Sequence, residues 1–163
     1  MPGFRRYAAT VAIFASGLYL ALLIAAFGVI SLLTGLDVIA DARAGELAGP
    51  VATGAATLFM IGCLLLIALR IPESRQRIAP LTAIGIGVGA YLVWPLFAAI
   101  AYLLGNGDPV GALLFFAQLL EGPFAITVGV AAFVIALLYM LVLASRIADR
   151  GRPRWPWERD DDE

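Results

Sequence analysis

Residues 80–104 read PLTAIGIGVGAYLVWPLFAAIAYLL, from Pro80 to Leu104, without a charge. About 25 residues of helix at ~1.5 Å each are enough to cross a hydrocarbon layer of ~30 Å. Gly85 and Gly89 lie four apart and share one helix face, while Ala83 and Gly87 share roughly the opposite one. Small residues let helix backbones approach where lipid supplies no hydrophobic drive for association. Small residues on two faces predict a central helix, packed on both sides. Pro95 withholds an N–H from the carbonyl of Tyr91 in mid-span, so a neighbouring element is expected to cover that site.

The whole chain agrees with that stretch. It has 163 residues, of which 62% are hydrophobic, and a mean hydropathy of +0.94. Soluble domains are ~45–50% apolar. A chain this short cannot bury so much apolar surface in a water-soluble core, so lipid is the expected solvent.

Three further spans are predicted. Tyr7 to Leu33 carries no charge, and its length is about twice the ~7–15 apolar residues of a signal peptide, so it reads as a retained first helix. Gly17, Ala21 and Ala25 form a small-residue stripe at four-residue spacing, the expected packing face. Gly49-Pro50 opens the second span, Val51 to Ile71, and Pro72 stops it. Gly105-Asn106-Gly107-Asp108-Pro109 ends the third, Pro80 to Leu104. The fourth is Phe124 to Ser145, with Ala125 and Gly129 as its small pair. The fold class is therefore all-α: four transmembrane helices in an antiparallel bundle within residues 1–147, followed by a mobile tail at 148–163.

The stretch between the third and fourth spans is the difficult one. Ala112 to Leu120 is apolar but gives only ~14 Å of helix, which suits an interfacial or re-entrant segment. Gly122-Pro123 is expected to turn the chain into the membrane. A single long kinked helix from Val110 is the rival arrangement.

Charge predicts orientation. All eleven basic residues are Arg. Ten of them lie at the head (Arg5, Arg6), in or beside the 72–79 loop (Arg70, Arg75, Arg77) or after the last span. Arg43 alone falls in the other set of loops. The positive-inside rule places head, middle loop and tail in the cytoplasm of a bacterial plasma membrane. Trp155 and Trp157 stand among the tail arginines, a pattern that anchors to headgroups or attracts anionic lipid.

Motifs for chemistry are absent. There is no His, and Cys63 is the only cysteine. That leaves no Ser/His/Asp set and no Cys/His cluster for zinc, iron–sulfur or haem. No cofactor, metal or nucleic-acid partner is expected. Glu121 and Gln118, three apart, either form an outward polar site or sit at headgroup level, with Glu121 as an acid near a helix N-terminus. Tyr91, Trp94 and Tyr102 either line a cavity beside the Pro95 kink or pack as ordinary membrane aromatics.

Span count, length, Ala/Gly/Arg richness and the acidic chain end resemble uncharacterised four-helix membrane proteins of actinobacteria, which form domain-of-unknown-function families. That resemblance implies the fold and carries over no active residue. The small multidrug transporters share the size and span count, but they carry a Glu in the first helix and Tyr7 to Leu33 has none.

The expected function is that of a non-enzymatic accessory or scaffold subunit, with lipid and a membrane-protein partner or further copies as its contacts. The alternative is a small transporter or channel for an apolar or weakly polar solute. The Arg distribution makes the first testable statement. A reporter fused after Glu163 should read out as cytoplasmic, and a reading from the far side of the membrane would refute the orientation.

Overall fold

The computed structural model describes residues 2–39, 41–70 and 79–150. The sequence readings of the 71–78 loop and of the tail beyond Arg150 fall outside those residues. Five helices run in order: α1 Pro2–Thr34, α2 Ala48–Arg70, α3 Pro80–Asn106, α4 Pro109–Glu121 and α5 Pro123–Arg150, with one 3₁₀ turn at Ala42–Ala44. Four of them contain stretches long and apolar enough to cross a membrane: Arg6–Thr34, Ala48–Leu69, Pro80–Asn106 and Pro123–Ser145. The chain is a multi-pass, all-α integral membrane protein.

The four long helices stand in a square. α1 packs on α2, α2 on α3, α3 on α5 and α5 on α1, while α4 lies against α3 and, less extensively, α5. Alanines at four- or seven-residue spacing, one helix face in either case, form much of the contact rows. On α2 they are Ala48, Ala52 and Ala56, continued by Met60 and Leu64; on α5 they are Ala125, Ala132 and Ala136, all buried. An alanine row brings two backbones together at little loss of side-chain freedom.

The closest crossing joins α3 to α5. A Cβ placed on Gly87 falls 2.9 Å from the Gly129 carbonyl oxygen and 3.0 Å from the Phe133 Cβ. One on Gly129 falls 2.9 Å from the Tyr91 Cβ and 3.0 Å from the Gly87 carbonyl oxygen. Gly89 meets α2 instead, where a Cβ falls 2.5 Å from the Phe59 ring tip. α3 is thus packed on two sides, by α5 through Gly87 and by α2 through Gly89.

Two small-residue expectations need correction. Gly85 is exposed and its Cβ position is open, so it does not share the packing role of Gly89. On α1, Gly17, Ala21 and Ala25 are exposed, and the buried row is Ala8, Ala12, Ser16, Tyr19, Leu23 and Phe27. The physical reason is polar satisfaction. Turning Tyr19 inward lets its hydroxyl reach a carbonyl of a neighbouring helix, which lipid cannot offer. Ser16 donates to Ala12 O at 2.8 Å and Tyr19 to Val128 O at 3.4 Å.

α4 has 13 residues, or ~20 Å of helix, so it cannot span alone. Gly107, at φ +65°, ends α3 and sends its N–H back to Leu103 O. Asp108 then caps α4 by accepting from the Gly111 N–H at 3.0 Å, and Pro109 takes a first-turn position where no N–H is needed. The chain runs back along the C-terminal half of α3, with Phe115 stacked on Tyr102 and the Leu120 carbonyl reached by Tyr91. It breaks at Gly122 and continues as α5. The arrangement combines the two alternatives, because a short helix dips along α3 and feeds the fourth span directly.

The crossing generates a stability comparison. Gly87→Leu should lower the thermal midpoint in detergent by the equivalent of ~1–3 kcal/mol, the usual range for overpacking. Gly85→Leu should leave it nearly unchanged. Equal effects would show that α3 and α5 do not meet at Gly87.

Candidate functional site

The structure gathers the sequence-selected aromatics along the middle and C-terminal half of α3, around the α4–α5 break. The break follows from Gly122-Pro123. Pro123 has no N–H for the Leu119 carbonyl, and Gly122 is extended, at φ −76° and ψ 151°, which carries the Phe124 N–H away from the Leu120 carbonyl. Two acceptors are thereby orphaned at a depth where water is scarce. Gly122 N–H serves Leu119 at 3.1 Å. The Tyr91 hydroxyl serves Leu120 at 2.8 Å. Tyr91 therefore acts as a side-chain cap for the broken helix.

Trp94 and Pro95 are fully buried one turn further along α3. Trp94 Nε1 donates to Thr53 Oγ1 of α2 at 3.3 Å. Its ring meets Phe27 of α1 edge-on at 5.8 Å, and Phe27 meets Phe124 of α5 at 5.4 Å. One aromatic layer thus touches all four long helices beside the proline. Each edge-to-face pair contributes ~0.5–1.5 kcal/mol beyond its burial.

Tyr102 sits above that layer, stacked on Phe115 at 5.2 Å, with the Arg43 guanidinium 5.9 Å over its ring. Arg43 bonds Asp41 through Nε at 3.3 Å and a terminal nitrogen at 3.2 Å. These bonds hold the Asp41 carboxyl below its ordinary pKa and raise that of Arg43. Asn106 donates to Arg43 O at 2.8 Å and to Tyr102 O at 2.9 Å, tying the 3₁₀ turn to α3. Sequence reasoning missed Arg43, Asp41 and Asn106; an aspartate two residues before an arginine was the local signal for the pair.

Gln118 and Glu121 do not form one site. Gln118 lines a cavity of about 320 Å³ with Asp41, Arg43, Asp108 and the apolar Leu114 and Phe115. Glu121 is the exposed last residue of α4 and lies outside that cavity. A separate apolar groove of about 350 Å³ runs between α3 and α5, with Tyr91 among its lining residues. Among the described residues, no group of three or more His, Cys, Asp or Glu could hold a metal ion.

A family model described as a family of unknown function, DUF6121, matches residues 1–163, the whole chain. The chain belongs to that family. This bears out the resemblance to a domain-of-unknown-function family of membrane proteins. No curated protein and no solved structure matches the chain.

The helix break makes Tyr91 testable. Tyr91→Phe keeps the ring and removes the donor, leaving the Leu120 carbonyl unpaired. The expected cost is ~0.5–2 kcal/mol, since hydrogen bonds between membrane helices average ~0.6 and an orphaned buried acceptor adds to it. A detergent thermal melt measures it. An unchanged midpoint would mean that water reaches Leu120.

Proposed function

We propose that this protein is a non-enzymatic integral membrane subunit that acts by associating with another membrane protein, in an accessory or scaffold role. The observation that carries this reading is the commitment of its intramembrane polar side chains. Ser16, Tyr19, Thr57, Tyr91, Thr127 and Tyr139 all donate to backbone carbonyls of the bundle, and Trp94 donates to Thr53. A transport path needs polar groups free to exchange partners with a solute, and a catalytic site needs a group able to gain or lose a proton near its substrate. Tyr91 and Trp94, the residues a solute path along the third span would use, are already bonded to their neighbours.

The Arg distribution supports a bacterial plasma membrane with head and tail in the cytoplasm. The tail arginines and tryptophans support a contact with anionic lipid on that side.

Native mass spectrometry after mild solubilisation from the source membranes tests the reading. The 17.2 kDa chain is expected in a fixed-ratio complex with a second membrane protein. Recovery only as a lone chain, together with solute flux in reconstituted vesicles, would replace it with the transport reading.

A further inference from the structure

Glu121 is the charged exception to the commitment of polar side chains within the bundle. It is exposed and hydrogen-bonds none of the described residues. Its depth makes that unusual. α4 has 13 residues, which set Glu121 ~20 Å of helix away from the Asp108 cap. The Phe115–Tyr102 stack and the Tyr91–Leu120 bond keep α4 running back along α3 over that distance. The neighbouring helices agree. Phe124, just past the break, meets Phe27 of α1, ~10 Å of helix short of Thr34. Trp94, in the same aromatic layer, bonds Thr53 of α2, ~8 Å in from Ala48. Exposed apolar side chains lie between this level and the loops: Leu32 and Leu33 on α1, Val110, Leu113 and Leu114 on α4. Glu121 thus stands among lipid-facing side chains.

A carboxylate at that depth is costly unless a cation accompanies it, and charges inside membranes are met by pairing. No arginine of this chain can supply the cation. The eleven stand at the head, in or beside the 72–79 loop, after the last span or, as Arg43, in the 3₁₀ turn, where it pairs with Asp41. A second copy meets the same limit. Two copies related by a two-fold axis along the membrane normal keep every residue at its own depth, so Glu121 would face its own like charge and no arginine.

The face that carries Glu121 is shaped to receive a helix. Val110, Leu114, Ala117 and Glu121 are spaced by four, three and four residues, and all are exposed. They form one stripe, opposite the face on which Ala112 and Phe115 are buried. Ala117 at its middle lets a second backbone approach closely.

We propose that this stripe of α4 docks a membrane-spanning helix of a different protein, one that carries an Arg or Lys at the depth of Glu121 and pairs with it there. This rests on the accessory reading, to which it adds the contact face and the partner's chemistry.

The full chain, with a benzophenone amino acid in place of Ala117, is produced in its source membranes, irradiated and purified. Crosslinked peptides are identified by mass spectrometry. The peptide is expected from an apolar span of another protein, with an Arg or Lys within about one helical turn of the attachment site. Glu121→Gln should lower the crosslink yield about thirtyfold, the low end for removing one member of a buried, hydrogen-bonded charge pair. Glu121→Arg should abolish the crosslink. Changing the partner's basic residue to Glu in that background should restore it, which a misfolded α4 would not allow. With the complex still recovered, crosslinks from Leu18 or Leu138, exposed on α1 and α5, but none from Ala117 would overturn this contact and leave the accessory role standing. A crosslinked span without a basic residue, or a yield that Glu121→Gln leaves unchanged, would do the same, as would a crosslink from Ala117 to a second copy alone. Absence of any complex would remove the accessory role and this contact together.

Discussion

Inside a hydrocarbon layer a backbone carbonyl has no water to accept from, and this constraint shapes the molecule more than any other. An unbroken helix meets it automatically; a broken one must find donors. The chain breaks between α4 and α5, and the Tyr91 hydroxyl supplies the missing donor at 2.8 Å. The same logic places Tyr139. Its hydroxyl lies 3.2 Å from Ala8 O and 3.5 Å from Leu64 O, so its one proton joins α5 to α1 or to α2. Those carbonyls have a second lone pair beyond the helical bond, so the contact requires no break in either helix.

Close approach is the second requirement, because hydroxyls on side chains of fixed length reach a neighbouring backbone only if the helices nearly touch. The alanine rows and the Gly87–Gly129 crossing provide that distance. The two features support each other. Small residues bring the backbones near, and the tyrosines fix register along them, Tyr19 at Val128 and Tyr139 at Ala8. The offsets agree, since both pairs are separated by eleven residues on α1 and by eleven on α5, as two antiparallel helices of equal rise require.

The fold was legible because charge-free length is an almost sufficient signal for a membrane span. The packing faces were legible only in part. Gly87, Gly89, Ala125 and Gly129 pack against neighbours, yet Gly17, Ala21, Ala25 and Gly85 do not. Size says that a face could pack; it does not say that it does. Tyr19 was the better guide on α1, since its hydroxyl finds an acceptor on a neighbouring helix and an alanine has no such reason to turn inward. The candidate site was legible as a set of residues but not as an arrangement. Tyr91 meets Leu120 and Trp94 meets Thr53 across 29 and 41 residues, and no local pattern encodes such pairings.

The break itself calls for a physical account, because a continuous helix from Pro109 would satisfy Leu120 through the Phe124 N–H without help. A proline at position 123 denies Leu119 its helical donor in either case, and the extended Gly122 lets α4 lie against α3 while α5 packs between α3 and α1. The consequence is electrostatic as well as geometric. The break ends α4 at a carboxylate, ~20 Å of helix away from the Asp108 cap, so the exposed Glu121 is carried down alongside α3 rather than held at the level of the loops, to a depth where ionisation is costly. Along α4, Asp108 holds the first turn and Tyr91 serves the last, while Asp41 pairs with Arg43 above it. Glu121 hydrogen-bonds none of the described residues, so the break that spares α4 a clash leaves a carboxylate without a partner among them at its last residue.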